Sequence, residues 1–332
     1  MDGQQLKPIA VLGAGSWGTA LALTLARRGQ HVRLWSIETS EIEAMLKDRA
    51  NNRYLPGIPF PPTIFPTTDV YSAIDHVDDI LMVVPSVGFR STLETIQSAT
   101  TARTRIICAS KGLEEGSGQL FHYVVADVLG KDTPFAVLSG PSFAREVAEG
   151  LPTAVTIASK NSNFLRELAQ RFDGPVFKVH PSQDVTGTEL GGIVKNVIAL
   201  ATGICDGLQL GSNFRSAIIT LGLAEIKRLG AALGAESETF NGLAGMGDLI
   251  LTCTDNQSRN RRYGLAIGKG HDIASAEREI GQVVEGKRNA ELVAKLADQH
   301  NITMPITETV WQILQGQVKA EPAFKKLLSA MR

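Results

Sequence analysis

The strongest constraint on this chain is a strand–turn–helix signature at residues 8–28, PIAVLGAGSWGTALALTLARR. A short apolar run leads into three glycines and then into a segment of helical periodicity. Gly13, Gly15 and Gly18 stand in G-x-G-x-x-G spacing after a predicted strand and at the opening of a predicted helix, the context this pattern needs. There the first glycine permits a tight turn, the second lets backbone approach a pyrophosphate, and the third allows close helix–strand packing. The helix N-terminus then offers free N–H groups and the positive end of its dipole to the phosphates.

The pattern continues downstream. Arg27 and Arg28 followed by Gly29 mark the helix end. HVRLW (31–35) reads as the next strand and TSEIEAMLKDRA (39–50) as the next helix. DILMVVP, TRIICAS, FAVLSG, TAVTIAS and VFKVH repeat the strand pattern, mostly with helical stretches between them. Such alternation predicts an α/β fold, a doubly wound and mostly parallel sheet with helices on both faces. The insert YLPGIPFPPTIFPTT (54–68) is rich in proline and glycine, and is expected to be a surface loop. After about residue 181 the spacing becomes helical without clear strands. The reading is a dinucleotide-binding domain over residues 1–183 and an all-α domain over residues 184–332. A length of 332 residues suits two domains.

Composition narrows the partners. With 33 basic and 34 acidic side chains the chain is nearly neutral, which argues against nucleic acid or an anionic membrane as a generic partner. Cys108, Cys205 and Cys253 are odd in number and form no CxxC pair, which suits a reducing compartment. MDGQQLKPIAVLG has no basic region before a long apolar stretch, so no signal peptide is expected. No window of about 20 residues is read as apolar enough to span a bilayer. A cytoplasmic location is the expectation, with no integral membrane association and no metal.

A second set of polar residues stands in apolar surroundings. In LGGIVKNVIALATGI (190–204), Lys195 is enclosed by Leu, Ile, Val and Ala on every helical face. Taking an ammonium out of water is costly unless something pairs with it. A lysine whose stem lies on apolar surface while its head reaches water is the plainer alternative. Gly191 and Gly192 lie one turn back on the same face, and would let a small ligand approach. Lys111 follows a strand, and carboxyl ends of strands form the ligand crevice of open α/β sheets. Gly140, Pro141 and Ser142 follow another strand. Asp248 sits in GLAGMGDLILTCT, where a plain helix N-cap is the alternative. SRNRRYG (258–264) carries three arginines, for which a solvated helix face is the alternative. At the end of the second strand, RLWSIE places Ser36 and Ile37 where a carboxylate would bind the ribose 2′-hydroxyl of NAD. Glu38 is close and no arginine is adjacent, so NADP(H) is favoured weakly and NAD(H) remains usable.

Taken together, GAGSWGTA, the Lys111–Gly112 pair, GPSFA, ELGG-x-VKN, GLAGMGDLILTC, SRNRR-x-G and VVEG resemble the bacterial NAD(P)-dependent glycerol-3-phosphate dehydrogenases. The resemblance runs in order from residue 8 to about residue 290. It implies a Rossmann domain followed by a helical one, and interconversion of dihydroxyacetone phosphate and sn-glycerol 3-phosphate for phospholipid synthesis. By resemblance Lys195 is the catalytic lysine and Lys111 a second essential one. Gly140, Ser142, Asp248, Ser258, Arg259 and Asn260 match substrate contacts. Ser16, Trp17, Ala144, Arg259, Val283 and Glu285 match cofactor contacts, beside the three turn glycines and with Lys111 and Ile37 at the cofactor as well. Ile37 replaces a polar or basic residue often found near the adenosine ribose. Asn196 and Thr252 match polar neighbours of the catalytic centre in eukaryotic relatives. A homodimer is expected.

The resemblance gives the residues roles. A lysine held in an apolar helix has its pKa lowered, because desolvation disfavours the charged form. It can then donate a proton to a reduced ketone and take it back in reverse. Lys111 would add positive charge at the same oxygen and Asp248 would hold Lys195. Arg259 and Asn260 would meet the phosphate with multidentate donors. Two alternatives stand beside this reading: another Rossmann-plus-helical reductase of a hydroxy acid or sugar acid, and a redox-sensing dinucleotide-binding protein without turnover.

Overall fold

The structure, a computed structural model, describes residues 7–330; the signal-peptide reading, which rests on the first residues, lies partly outside them. The chain divides into two compact units. One takes in the chain up to Ser110, with Phe121–Leu138 and Ser142–Val185. The other takes in Lys111–Leu120, Ser139–Pro141 and the chain from Thr186 onward.

The first unit is built on eight strands: β1 (Ile9–Leu12), β2 (Val32–Trp35), β3 (Ile64–Thr67), β4 (Asp79–Met82), β5 (Arg105–Cys108), β6 (Phe135–Ser139), β7 (Thr153–Ala158) and β8 (Phe177–Ser182). Their order in the sheet is β3-β2-β1-β4-β5-β6-β7-β8. β1 pairs in parallel with β2, Ile9 opposite Val32, and with β4, Ile9 opposite Asp79. All four residues of β1 are fully buried. Ile9 and Val11 enter the core on one face with Leu21, Leu25 and Leu34; Ala10 and Leu12 enter the other with Met82, Phe89 and Phe121. Burial on both faces is why these strands read as continuous apolar runs instead of alternating ones.

The insert at 54–68 departs from the surface loop expected of it. Ile64–Thr67 is β3, parallel to β2 and at the sheet edge. An edge strand tolerates Pro66, because a missing N–H that faces outward breaks no ladder. Upstream, Leu55, Ile58 and Phe60 are buried in the same core as β1.

The second unit is helical and centres on the Val185–Gly207 helix. Residues 187–205 are all buried, Val194, Ile198 and Ala199 as well as Leu190, Ile193 and Leu200, so the helix is enclosed on every face. This helix is long and apolar enough to cross a bilayer, contrary to the reading that no such window exists; 89% of its apolar window is buried inside the protein. It crosses the Arg259–Gly268 helix at backbone contact, since a Cβ on Gly264 would lie 2.2 Å from the Leu200 carbonyl. Leu113 and Leu120, from the segment after β5, are buried in this core.

One buried carboxylate fastens the distal part of the helical unit. Glu225 is 1% exposed and accepts hydrogen bonds from Ile306 N (2.6 Å), Thr307 N (3.2 Å) and Thr307 Oγ1 (2.9 Å), so it caps the Pro305–Leu314 helix. Burial pushes its pKa from 4.5 up to about 7, against the lowering effect of those donors. The folded chain therefore holds a proton between these values that the unfolded chain has released, and stability falls as pH rises through that window. Glu225→Gln is expected to flatten this slope, as read from denaturant unfolding on either side of the window.

Candidate active site

The nucleotide turn follows β1 directly. Gly13 has φ +117°, and a Cβ there would lie 2.6 Å from the Val83 carbonyl. A Cβ on Gly18 would lie 1.8 Å from the Gly13 carbonyl, so these two glycines are demanded by the fold itself. Gly15 differs: its φ is −68°, it caps the Ser16–Arg27 helix, and a Cβ on it would meet nothing within 4 Å. The open side of Gly15 beside a helix N-terminus fits a dinucleotide diphosphate. Ser16 and Trp17, half-buried, form the first turn of that helix. Ile37 is exposed just beyond β2, and the buried Ser36 accepts from Glu38 N through Oγ at 3.2 Å. Arg53, just before the proline-rich insert, is ion-paired with Glu41 at 2.7 Å. Ala144 heads the short Ala144–Glu149 helix, just after Ser142. These residues all belong to the first unit.

The helical unit holds the charged centre. Lys195 is 6% exposed. Its Nζ donates to Asp248 Oδ1 and, at 2.9 Å, to Thr252 Oγ1. Lys111 Nζ donates to the other carboxylate oxygen, Asp248 Oδ2, at 2.8 Å. Asp248 is 1% exposed and opens the Asp248–Thr254 helix, directly after a wide turn over Leu243–Gly247. Its position at the helix start is that of the simple cap, but its side chain is spent on two ammonium groups. Thr252, one turn on, donates to the Asp248 carbonyl at 2.7 Å and so presents its lone pairs to Lys195.

Burial lowers the pKa of Lys195 from 10.5 to about 7; the Asp248 charge opposes this, and the Lys111 charge adds to it. For Asp248 burial acts upward, but Lys111 and Lys195 together outweigh it and hold the carboxyl below its usual range. Two cations share one carboxylate, so the cluster carries net positive charge while both lysines are protonated.

The glycines before Lys195 serve packing and not the open approach expected of them. A Cβ on Gly191 would lie 2.1 Å from the Ala244 carbonyl, and one on Gly192 would lie 2.7 Å from Ser139 Oγ and 3.6 Å from Lys111 Cγ. Gly192 thus makes room for the stem of Lys111. Sequence position assigned Lys111 to the sheet domain, yet Lys111–Leu120 and Ser139–Pro141 pack as part of the helical unit. The signal was present in KGLEEGSGQL, where Leu113 and Leu120 are the buried anchors. Gly140, with φ +145°, lies in the second of these segments.

Beside the cluster runs an amide chain. Asn196 donates to the Gly192 carbonyl at 3.3 Å and accepts from Asn260 Nδ2 at 2.9 Å; Asn260 Oδ1 accepts from Gly286 N at 2.9 Å. Ser258 is buried and caps the Arg259–Gly268 helix by accepting from Arg261 N. Arg261 is buried and paired with Asp206, a structural arginine within the run. Arg259 is half-buried and donates to Gln282 Oε1 at 3.3 Å, next to the exposed Val283 and just before Glu285, which opens the Glu285–Gln299 helix.

Comparison with known proteins sets this geometry in a family. Residues 8–165 match the N-terminal model of NAD-dependent glycerol-3-phosphate dehydrogenase, and residues 184–325 match its C-terminal model. The chain belongs to the NAD-dependent glycerol-3-phosphate dehydrogenase family. It is 52% identical over 321 residues to a glycerol-3-phosphate dehydrogenase [NAD(P)+] of Coxiella burnetii, covering 97% of this chain and 96% of that protein. A relative of the same name from Vibrio cholerae is 49% identical over 326 residues, covering 97% and 95%. A crystal structure of the Coxiella burnetii glycerol-3-phosphate dehydrogenase superposes with a TM-score of 0.95, at 52% identity and over 97% of this chain and 98% of that one.

The contrast among the turn glycines is testable. Gly15→Ala is expected to fold with a nearly unchanged melting temperature and to bind a nicotinamide dinucleotide much more weakly. Gly18→Ala is expected to lower the melting temperature strongly, because its methyl meets backbone. Thermal unfolding and dinucleotide titration of the two variants read this directly.

Proposed function

We propose that this protein reduces dihydroxyacetone phosphate to sn-glycerol 3-phosphate with NAD(P)H, reversibly, and so supplies the backbone of glycerophospholipids. Family membership supports the reaction class. The observation that carries the mechanism is the buried Asp248 carboxylate shared by the ammonium groups of Lys195 and Lys111. In functional terms residues 1–183 are the dinucleotide-binding domain and residues 184–332 the substrate domain, with Lys111 and Gly140 serving the latter. The nicotinamide, when bound, supplies or takes up the hydride.

Hydride addition to a ketone leaves negative charge on oxygen that calls for a proton. We assign Lys195 as the acid, since an ammonium with its pKa near 7 gives up its proton readily at neutral pH and recovers it in the reverse direction. Asp248 keeps Lys195 oriented by its hydrogen bond, and Thr252 keeps a second lone pair on the same ammonium. Lys111, held by the other oxygen of Asp248, stabilises the developing oxyanion. Arg259 and Asn260 are assigned to the phosphate, whose oxygens suit planar N–H donors. Gly140, Ser142, Asn196 and Ser258 complete the proposed substrate contacts. Gly13, Gly15, Ser16, Trp17, Gly18, Ile37, Lys111, Ala144, Arg259, Val283 and Glu285 are the proposed cofactor contacts. Family resemblance supports a cytoplasmic homodimer.

The decisive experiment is the initial rate of NADPH and NADH oxidation with dihydroxyacetone phosphate; no turnover with either cofactor overturns the proposal. Lys195→Ala is expected to fold, to bind cofactor and to lose about 10²–10⁴-fold in rate. For wild type, kcat/KM for reduction is expected to decline as pH rises through about 7 and that for oxidation to climb through the same window, because one direction needs the ammonium and the other the amine.

For the cofactor we propose a modest preference for NADPH with NADH still used, supported by the absence of a carboxylate at Ser36 and Ile37. Ser36→Asp is expected to reverse the preference. Asp keeps an oxygen acceptor for Glu38 N, so the turn is retained while the 2′-phosphate meets a negative charge. Comparing kcat/KM for both cofactors in the two proteins checks this.

A further inference from the structure

Asn51 stands in the segment before the proline-rich insert, outside the motifs that carry the family resemblance. It is 1% exposed. Its Nδ2 donates to the Ala14 carbonyl at 2.8 Å and to Thr19 Oγ1 at 2.8 Å, and its Oδ1 faces Tyr54 N at 3.3 Å. Both hydrogens of the amide are therefore committed to the glycine-rich turn and the helix it opens. Ala14, between Gly13 and Gly15, is itself 3% exposed. The first bond of the Ser16–Arg27 helix runs from Thr19 N to the Gly15 carbonyl, so the helical ladder does not use the Ala14 carbonyl. Besides Asn51, the Thr19 hydroxyl approaches it, at a longer 3.3 Å.

A peptide group is planar and trans, so its C=O and its N–H point in opposite directions. The N–H opposite the Ala14 carbonyl is that of Gly15. A donor that grips this carbonyl from the buried side turns the Gly15 N–H the other way. That residue has open space where a Cβ would stand. We propose that Asn51 is a positioning residue for the cofactor: it fixes the Ala14–Gly15 peptide so that the Gly15 N–H is presented to the diphosphate of the dinucleotide. The inference rests on the reading of this turn as the NAD(P) site. The segment around it is built to hold the amide still. Tyr54 Oη bonds Glu41 Oε1 at 3.3 Å, Arg53 pairs with the same carboxylate, and Ala50 bridges to Pro59.

The test separates cofactor affinity from chemistry. Wild type and Asn51→Ala are titrated with NADPH by nicotinamide fluorescence without substrate, and steady-state kinetics are measured alongside. The dissociation constant and the KM for NADPH are expected to rise about tenfold, the scale of one hydrogen bond to a charged group. The kcat at saturating NADPH and the KM for dihydroxyacetone phosphate are expected to stay at wild-type values. Where Asn51→Ala does not fold, Asn51→Gln carries the test, because it keeps the amide but displaces it by one methylene. A folded variant that binds NADPH like wild type, even with a lower melting temperature, overturns the proposal, and so does a variant that loses kcat in the same proportion. A wild type that binds NADPH but does not turn over dihydroxyacetone phosphate overturns the functional reading alone.

Discussion

The helical unit is organised around one carboxylate. Asp248 is buried, and both of its oxygens are taken by ammonium groups, Lys195 on one and Lys111 on the other. Two like charges so placed repel, and Lys195 has also been withdrawn from water; the anion between them offsets both costs. The surrounding sequence follows from this need. The turn over Leu243–Gly247 delivers Asp248 at a helix start, Gly191 lets the Ala244 carbonyl close in, and Gly192 clears the stem of Lys111.

The same interaction explains why burial lowers the pKa of Lys195 only part-way. Desolvation alone would drive it neutral, and Asp248 alone would keep it charged. Lys111 competes for the same anion and adds its own repulsion, which leaves Lys195 near the midpoint of its titration at neutral pH. An isolated lysine–aspartate pair lacks this tuning. The arrangement therefore needs a third member, and that member comes from a segment that follows a strand of the sheet but folds into the helical core through Leu113 and Leu120.

Much of this was legible in the residues. A strand buried on both faces is a run of apolar side chains, and glycines at fixed spacing after it leave little choice of turn, so the first unit announces itself. Lys195, Lys111 and Asp248 stood out because each is charged among apolar or glycine-rich neighbours, and the fold brings all three together. The errors have physical sources. Pro66 argued against a strand, yet at a sheet edge its missing N–H costs nothing. Gly191 and Gly192 suggested access for a ligand, because a missing Cβ does not reveal whether ligand or protein fills the space. Lys111 was placed by its position in the chain, whereas its unit is decided by contacts far away in sequence. Asn51 had no local signal, since its partners lie 37 and 32 residues earlier.

The Val185–Gly207 helix has a further consequence, for the biogenesis of the chain. Synthesis proceeds from the N-terminus, so this 23-residue segment leaves the ribosome before the residues that cover it. Val293, Val310 and Phe324, which share its core, are made last. Until then a helix apolar enough to cross a bilayer has no finished core to enter. The nascent chain is thus most prone to aggregation in that interval, and its yield in a cell depends on how quickly the final helices follow.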